Sequence, residues 1–108
     1  MGETYRKEIV RRIVKNMLDI QILRMVQAQP LWGYKIKKKA EADFHIKIRH
    51  GALYPLLNSL ERKGLLTSET EHQTGRARKV YNITTKGREY LDTYYSILKE
   101  QLESKQTT

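Results

Sequence analysis

The stretch from Gly51 to Leu65, GALYPLLNSLERKGL, constrains this chain more than any other. Leu53, Leu56, Leu57 and Leu60 fall at i, i+3, i+4 and i+7, the spacing that puts side chains on one face of a helix. Pro55 has no backbone N–H to give and suits a first turn, so the helix is expected to begin near Gly51 or Ala52. Gly64 offers the left-handed residue that stops a helix, after Arg62 and Lys63 have met the negative end of its dipole. A basic segment, Gly75-Arg76-Ala77-Arg78-Lys79, follows and reads as the tip of a hairpin.

The flanking segments supply the rest of a small helical fold. Residues 5–28 read as helix, with Ile9, Val10, Ile13, Val14, Met17 and Leu18 in a stripe that Ile22, Leu23 and Val26 continue. Ile20 and Met25 lie off that stripe, which predicts burial on more than one side. A division into two helices between Asn16 and Asp19 fits equally well. Pro30 to Gly33 reads as a turn, and a second helix as Tyr34 to Ala42, with Ile36 and Ala40 inward and Lys35, Lys37, Lys38 and Lys39 mostly outward. Residues 43–49 read as a connection in which His45 to Ile48 alternates and suits a short strand. Strands are expected at residues 66–72 and 78–84, joined by a Gly-containing loop. Thr84 or Thr85 caps a last helix, where Leu91, Tyr94, Tyr95, Leu98 and Leu102 share one face. That helix is too long for so small a domain to cover, so its apolar stripe needs a partner. Residues 103–108 are expected to fray.

Helix, turn, helix, then basic hairpin is the order of a winged helix-turn-helix, and the charge agrees with it. With 108 residues the prior is one domain with a small core, which oligomerisation would help. The net charge of +9 favours polyanions, nucleic acid before acidic membrane surfaces. Residues 1–54 carry 12 Lys and Arg against 5 Asp and Glu; residues 55–108 carry 9 against 7. The absence of cysteine excludes disulfides and thiolate metal sites and suits a reducing cytoplasm. No apolar run reaches the roughly 18–20 residues of a membrane span, and no signal-peptide segment follows Met1.

A recognition helix shows its N-terminal residues and one outer face to the major groove. Arg49 and His50 precede the helix start, while Tyr54 and Asn58 lie off its leucine face. Arg pairs with guanine and Asn with adenine through two bonds each, and a Tyr hydroxyl can meet a phosphate. The competing reading packs Tyr54 on the protein and leaves Arg49 and Asn58 merely solvated. Arg76, Arg78 and Lys79, three cations in four positions, are placed on the projecting wing to straddle a minor groove. Enzyme chemistry finds no footing. His45, His50 and His72 have no metal-ligand spacing, Glu41 and Asp43 sit among lysines, and no phosphate-loop or nucleophile-elbow motif is present. No cofactor and no metal site are expected.

Three stretches together resemble the PadR family of winged-helix transcriptional regulators: Leu18 to Ile36, with its Gly33-Tyr34-Lys35-Ile36; Gly51 to Leu57, similar to GTLYPxL with Ala52 for Thr; and Gly75 to Gly87, similar to GRPRKYYxLTxxG with Ala77 for Pro and Val80 for Tyr. The resemblance spans about residues 16–100. It implies a mainly α fold with a small β-hairpin wing, and a homodimer that binds inverted-repeat operator DNA and usually represses. It implies dimerisation through the last helix together with the first. The domains are then an arm at 1–15, a DNA-binding winged helix-turn-helix at 16–84 and a dimerisation helix with its tail at 85–108. The DNA-facing set is Tyr34, Arg49, His50, Tyr54, Asn58, Arg76, Arg78 and Lys79. The dimer set is Ile9, Ile13, Met17, Leu91, Tyr94, Tyr95, Leu98 and Leu102. Some short members bind planar aromatic effectors at the dimer interface against a Trp of the last helix. Here the only Trp is Trp32, and the last helix offers Tyr90, Tyr94 and Tyr95. A non-specific architectural DNA-binding protein, or a winged-helix module that binds other proteins, shares the same charge and fold.

Overall fold

A computed structural model describes residues 2–73 and 75–104. Five helices and a three-stranded antiparallel sheet follow the order α1 (Gly2–Asn16), α2 (Leu18–Ala28), β1 (Leu31–Trp32), α3 (Gly33–Phe44), α4 (His50–Arg62), β2 (Leu66–Gln73), β3 (Arg76–Ile83) and α5 (Thr85–Glu103). The first apolar stripe divides into two helices at Met17, whose φ of −121° and ψ of 41° break the helical ladder.

The core is built around α2. Ile20, Ile22, Leu23, Met25 and Val26 are all buried, so nearly the whole circumference of this helix is covered, as the off-stripe Ile20 and Met25 predict. Leu53, Leu57 and Leu60 of α4 are fully buried against the same cluster; Leu56 is half-buried at its edge. Ile36 and Ala40 come in from α3, Tyr81 and Ile83 from the sheet, and Leu91 from α5.

Four local expectations are corrected. Leu31 and Trp32 are not only a turn: they form β1, the third strand of the sheet, opposite Tyr81 and Val80 of β3. Residues 45–48 form no strand, because no neighbouring strand lies beside them, yet the alternation holds, with Ile46 and Ile48 buried between exposed residues. α4 begins earlier, at His50 with Arg49 as N-cap, which leaves Pro55 in the second turn. The carbonyl that Pro55 cannot bond belongs to Gly51, an exposed residue, so water can serve it. The hairpin loop is shorter than expected. Gln73 faces Arg76, the strands run to residues 73 and 76, and Gly75 turns the chain with φ +77°.

Both ends of the α4-to-α5 segment are tightly specified. Gly64 takes φ +77°, its N–H donates to the Glu61 carbonyl at 2.9 Å, and the Leu65 N–H reaches back to Leu60 at 3.0 Å. Those two bonds close a Schellman stop. Thr84 caps α5 by accepting from the Gly87 N–H at 2.9 Å. Its hydroxyl also donates to the Gly64 carbonyl at 2.6 Å. A side chain at Gly87 would collide with the Leu65 carbonyl and Ile83, so glycine there lets α5 start directly against the end of α4. Of the tail expected to fray, Glu103 still ends α5, and residues 105–108 lie outside those described.

Candidate nucleic-acid interface

α4 offers one face to the core and the other to solvent. Arg49, His50 and Asn58 are exposed, at the helix start and along its outer side. Tyr54 is half-buried, and its ring lies 4.3 Å from that of His50. The Tyr54 hydroxyl stands so close to Gly33 that any Cβ there would overlap it. The Gly33-Tyr34 and Tyr54-Pro55 pairs, separate in sequence, therefore interlock where α3 begins. Tyr54 is positioned both on the protein and toward the surface. Tyr34 is 48% exposed, with its ring 5.3 Å from Trp32 and the Lys38 ammonium 5.4 Å above it.

Two lysines outside the DNA-facing set, Lys37 and Lys47, gather at the same end beside Arg49. Lys37, Lys47 and Arg49 line a groove of about 280 Å³ with Glu41 and Ile48. The connection between α3 and α4 brings them beside the N-terminus of α4, where backbone N–H groups already favour an anion. Lysines ten residues apart carry no local signal of that convergence.

The wing cations are not equivalent. Arg76 is exposed beside the turn. Arg78 and Lys79 stand farther back in β3, on opposite faces of the sheet, and each has a protein partner. The Arg78 guanidinium stacks 4.1 Å over the Trp32 ring and lies 3.9 Å from Glu71. Lys79 Nζ donates to Glu61 Oε1 at 3.2 Å, and Ser68 Oγ donates to Glu61 Oε2 at 2.7 Å. Glu61, in the last turn of α4, thus ties both wing strands to that helix. The Ser68 hydrogen bond, aided by Lys79, holds the Glu61 carboxyl below its ordinary value. The bond to Glu61 raises the Lys79 ammonium above its own. Among the described residues no cluster of His, Asp or Glu could hold a metal ion.

A sequence profile described as the transcriptional regulator PadR-like family matches residues 22–93, from α2 into α5. The chain belongs to that family. A PadR-like transcription factor from Bacteroides fragilis superposes with a TM-score of 0.77 at 30% identity, covering 90% of this chain and 94% of the other. A PadR family transcriptional regulator from Eggerthella lenta superposes at 0.70 with 27% identity, over 99% and 96% of the two chains. The transcriptional regulator Rv3488 of Mycobacterium tuberculosis is 50% identical over 42 residues, a match that spans only 39% of either chain.

As a PadR-like regulator the protein is a DNA-binding controller of transcription and not an enzyme. Its winged helix is mainly helical with a three-stranded wing, rather than the two-stranded hairpin expected, and a long C-terminal helix follows it. The two terminal helices leave much apolar surface uncovered. On α1, Tyr5, Ile9 and Ile13 are 59%, 53% and 46% exposed, while Val14 is buried. On α5, Tyr90, Tyr95, Ile97, Leu98 and Leu102 are exposed; Tyr94 and, at the α1–α2 junction, Met17 are half-buried. Leu91 departs from the dimer set: it is fully buried inside the protomer and has no surface left to offer a partner. No helix among the described residues is long and apolar enough to cross a membrane.

Proposed function

We propose that this PadR-like regulator is a homodimer that binds an inverted-repeat operator and represses transcription, acting in the cytoplasm at the nucleoid. The supporting observation is that one chain carries two complementary surfaces. The first is the cationic edge formed by α4, the α3–α4 connection and the wing. The second is the uncovered apolar stripes of α1 and α5. A two-fold pair that buries the stripes presents two α4 helices, one to each half-site. In this reading Arg49, His50 and Asn58 meet base edges, while Tyr34, Tyr54 and Arg76 meet phosphates. Lys79 and Arg78 set the wing against the backbone. Ile9, Ile13, Met17, Tyr94, Tyr95, Leu98 and Leu102 form the dimer contact.

A groove of about 450 Å³, lined largely by apolar groups of Met17, Ile20, Leu65, Tyr90, Tyr94 and Ile97, lies beside that contact and supports a place for a small-molecule effector. Tyrosines, not a tryptophan, would stack on it.

The test is a fluorescence-anisotropy titration of duplex DNA from upstream of the protein's own gene, beside a scrambled duplex, at several salt concentrations. The proposal expects one dimer per site and a preference on the order of 10³ at physiological salt. Equal binding to both duplexes, with affinity set almost wholly by salt, would favour the architectural reading, to which the net charge of +9 is equally suited.

A further inference from the structure

The outer face of the sheet carries a groove of about 520 Å³ where β1, the first turns of α3 and the middle of the wing meet. Trp32, Lys35, Lys39, Glu71 and Arg78 line it. Three cations thus face one acid. Among the described residues neither lysine has an acidic partner within 4 Å. Arg78 is the one of the three with a buried polar atom left unbonded. Among the described residues its ionic contact is to Glu71 alone, 3.9 Å long and beyond hydrogen-bond reach, and its buried Nε–H has no acceptor. The Trp32 ring, its centroid 4.1 Å from the guanidinium carbon, covers one side of the group and offers it no oxygen acceptor. A guanidinium in that state lacks an acceptor with two oxygens to place against its planar fork. Lys35 and Lys39, one helical turn apart, supply point charges from the opposite wall.

We propose that this groove is a seat for a tetrahedral oxyanion, a phosphate group gripped by Arg78 between Lys35 and Lys39 and resting against Trp32. Donors without free acceptors select an anion, and the loose Glu71 contact yields Arg78 readily. The phosphate comes from one of two sources, the DNA backbone or a free phosphorylated molecule. The seat extends the assignment of Arg78 to DNA binding but does not depend on it.

Trp32 is the only tryptophan in the chain, so its emission reports on this groove and on Tyr34 beside it; Tyr34→Phe serves as the control for the second. The intact protein is titrated with inorganic phosphate and with pyrophosphate, beside sodium chloride of matched ionic strength. The NMR resonance of the Arg78 Nε–H is followed in parallel. A saturable response to phosphate, absent with chloride, is expected, weakened about tenfold or more by Arg78→Gln. The double change Lys35→Gln with Lys39→Gln, made on α3 and away from the sheet, is expected to weaken it several-fold as well. A response that follows ionic strength alone, that survives all three substitutions, or that is missing from both probes overturns the seat. A duplex that moves Trp32 emission in competition with phosphate identifies the backbone as the source. A duplex that binds by anisotropy and leaves Trp32 unmoved, while phosphate still acts, identifies a free ligand. Failure of every duplex to bind would end the operator reading and leave the phosphate titration to stand or fall by itself.

Discussion

The winged-helix body and the two terminal helices treat the same kinds of side chain in opposite ways. In the body, the leucines of α4 and the isoleucines of α2 are spent inside the protomer, with Leu53, Leu57, Ile22 and Leu23 fully buried. In α1 and α5, Ile9, Ile13, Ile97 and Leu98 stand 39–53% exposed. Among the described residues, the terminal helices give the protomer core only Val14 and Leu91 as fully buried apolar side chains. They leave a large set of apolar groups exposed, the surface to which the proposed dimer contact is assigned. The proposed function divides the same way: it assigns DNA contact to the body and pairing of protomers to the terminal helices.

That contrast is sharpest where substitutions should separate folding from assembly. Leu57→Ala, in the filled core, should lower stability by about 2–5 kcal/mol in thermal or urea unfolding. Leu98→Glu should leave the fold of the body intact, read by circular dichroism, but convert a dimer to monomers in sedimentation. Loss of the second half-site contact should then weaken operator binding on the order of 10²-fold. A monomer that kept full affinity would break the division. Gly33→Ala forces a methyl against the Tyr54 hydroxyl and should cost about 1–3 kcal/mol, with a loss of DNA affinity beyond what the lost stability explains. Thr84→Ala removes a cap at the junction of the two regions and should cost about 1–2 kcal/mol, while Thr84→Ser restores most of it.

The smallest effect is expected from the tie between α4 and the wing. Glu61, held low chiefly by Ser68, contributes above its ordinary value of 4.5, and that contribution is lost as pH falls through the lowered value. Lys79, held high chiefly by Glu61, contributes below 10.5, and its share is lost as pH rises through the raised value. Wing stability should therefore be level across neutral pH and decline at both extremes, measured by amide exchange in β2 and β3. Glu61→Gln should flatten the acid limb and leave the Ser68 bond an acceptor.

Signals close in sequence were legible, and those that needed distant partners were not. The leucine period of α4, its stop at Gly64 and the Thr84 cap are local devices and stand where the residues put them. β1 was invisible because its two residues become a strand only opposite Tyr81 and Val80, some fifty positions away. Leu91 could not be told from Leu98, since both lie on one stripe and only the position of the core decides which is covered. Arg78 and Lys79 read as adjacent free cations; the strand's alternation sends one to Trp32 and the other to Glu61. The Gly33–Tyr54 lock was likewise unreadable, although both motifs were recognised.

The contact of Thr84 and Gly87 with Gly64 and Leu65 has a mechanical consequence. The first turn of α5 is bolted to the exit of α4, with no flexible linker between them. At 19 residues α5 is a rod of about 28 Å. A tilt imposed anywhere along that rod is transmitted to the base of the winged helix as a rotation and not absorbed in a hinge. The angle of α5 and the heading of α4 are thereby coupled through that junction.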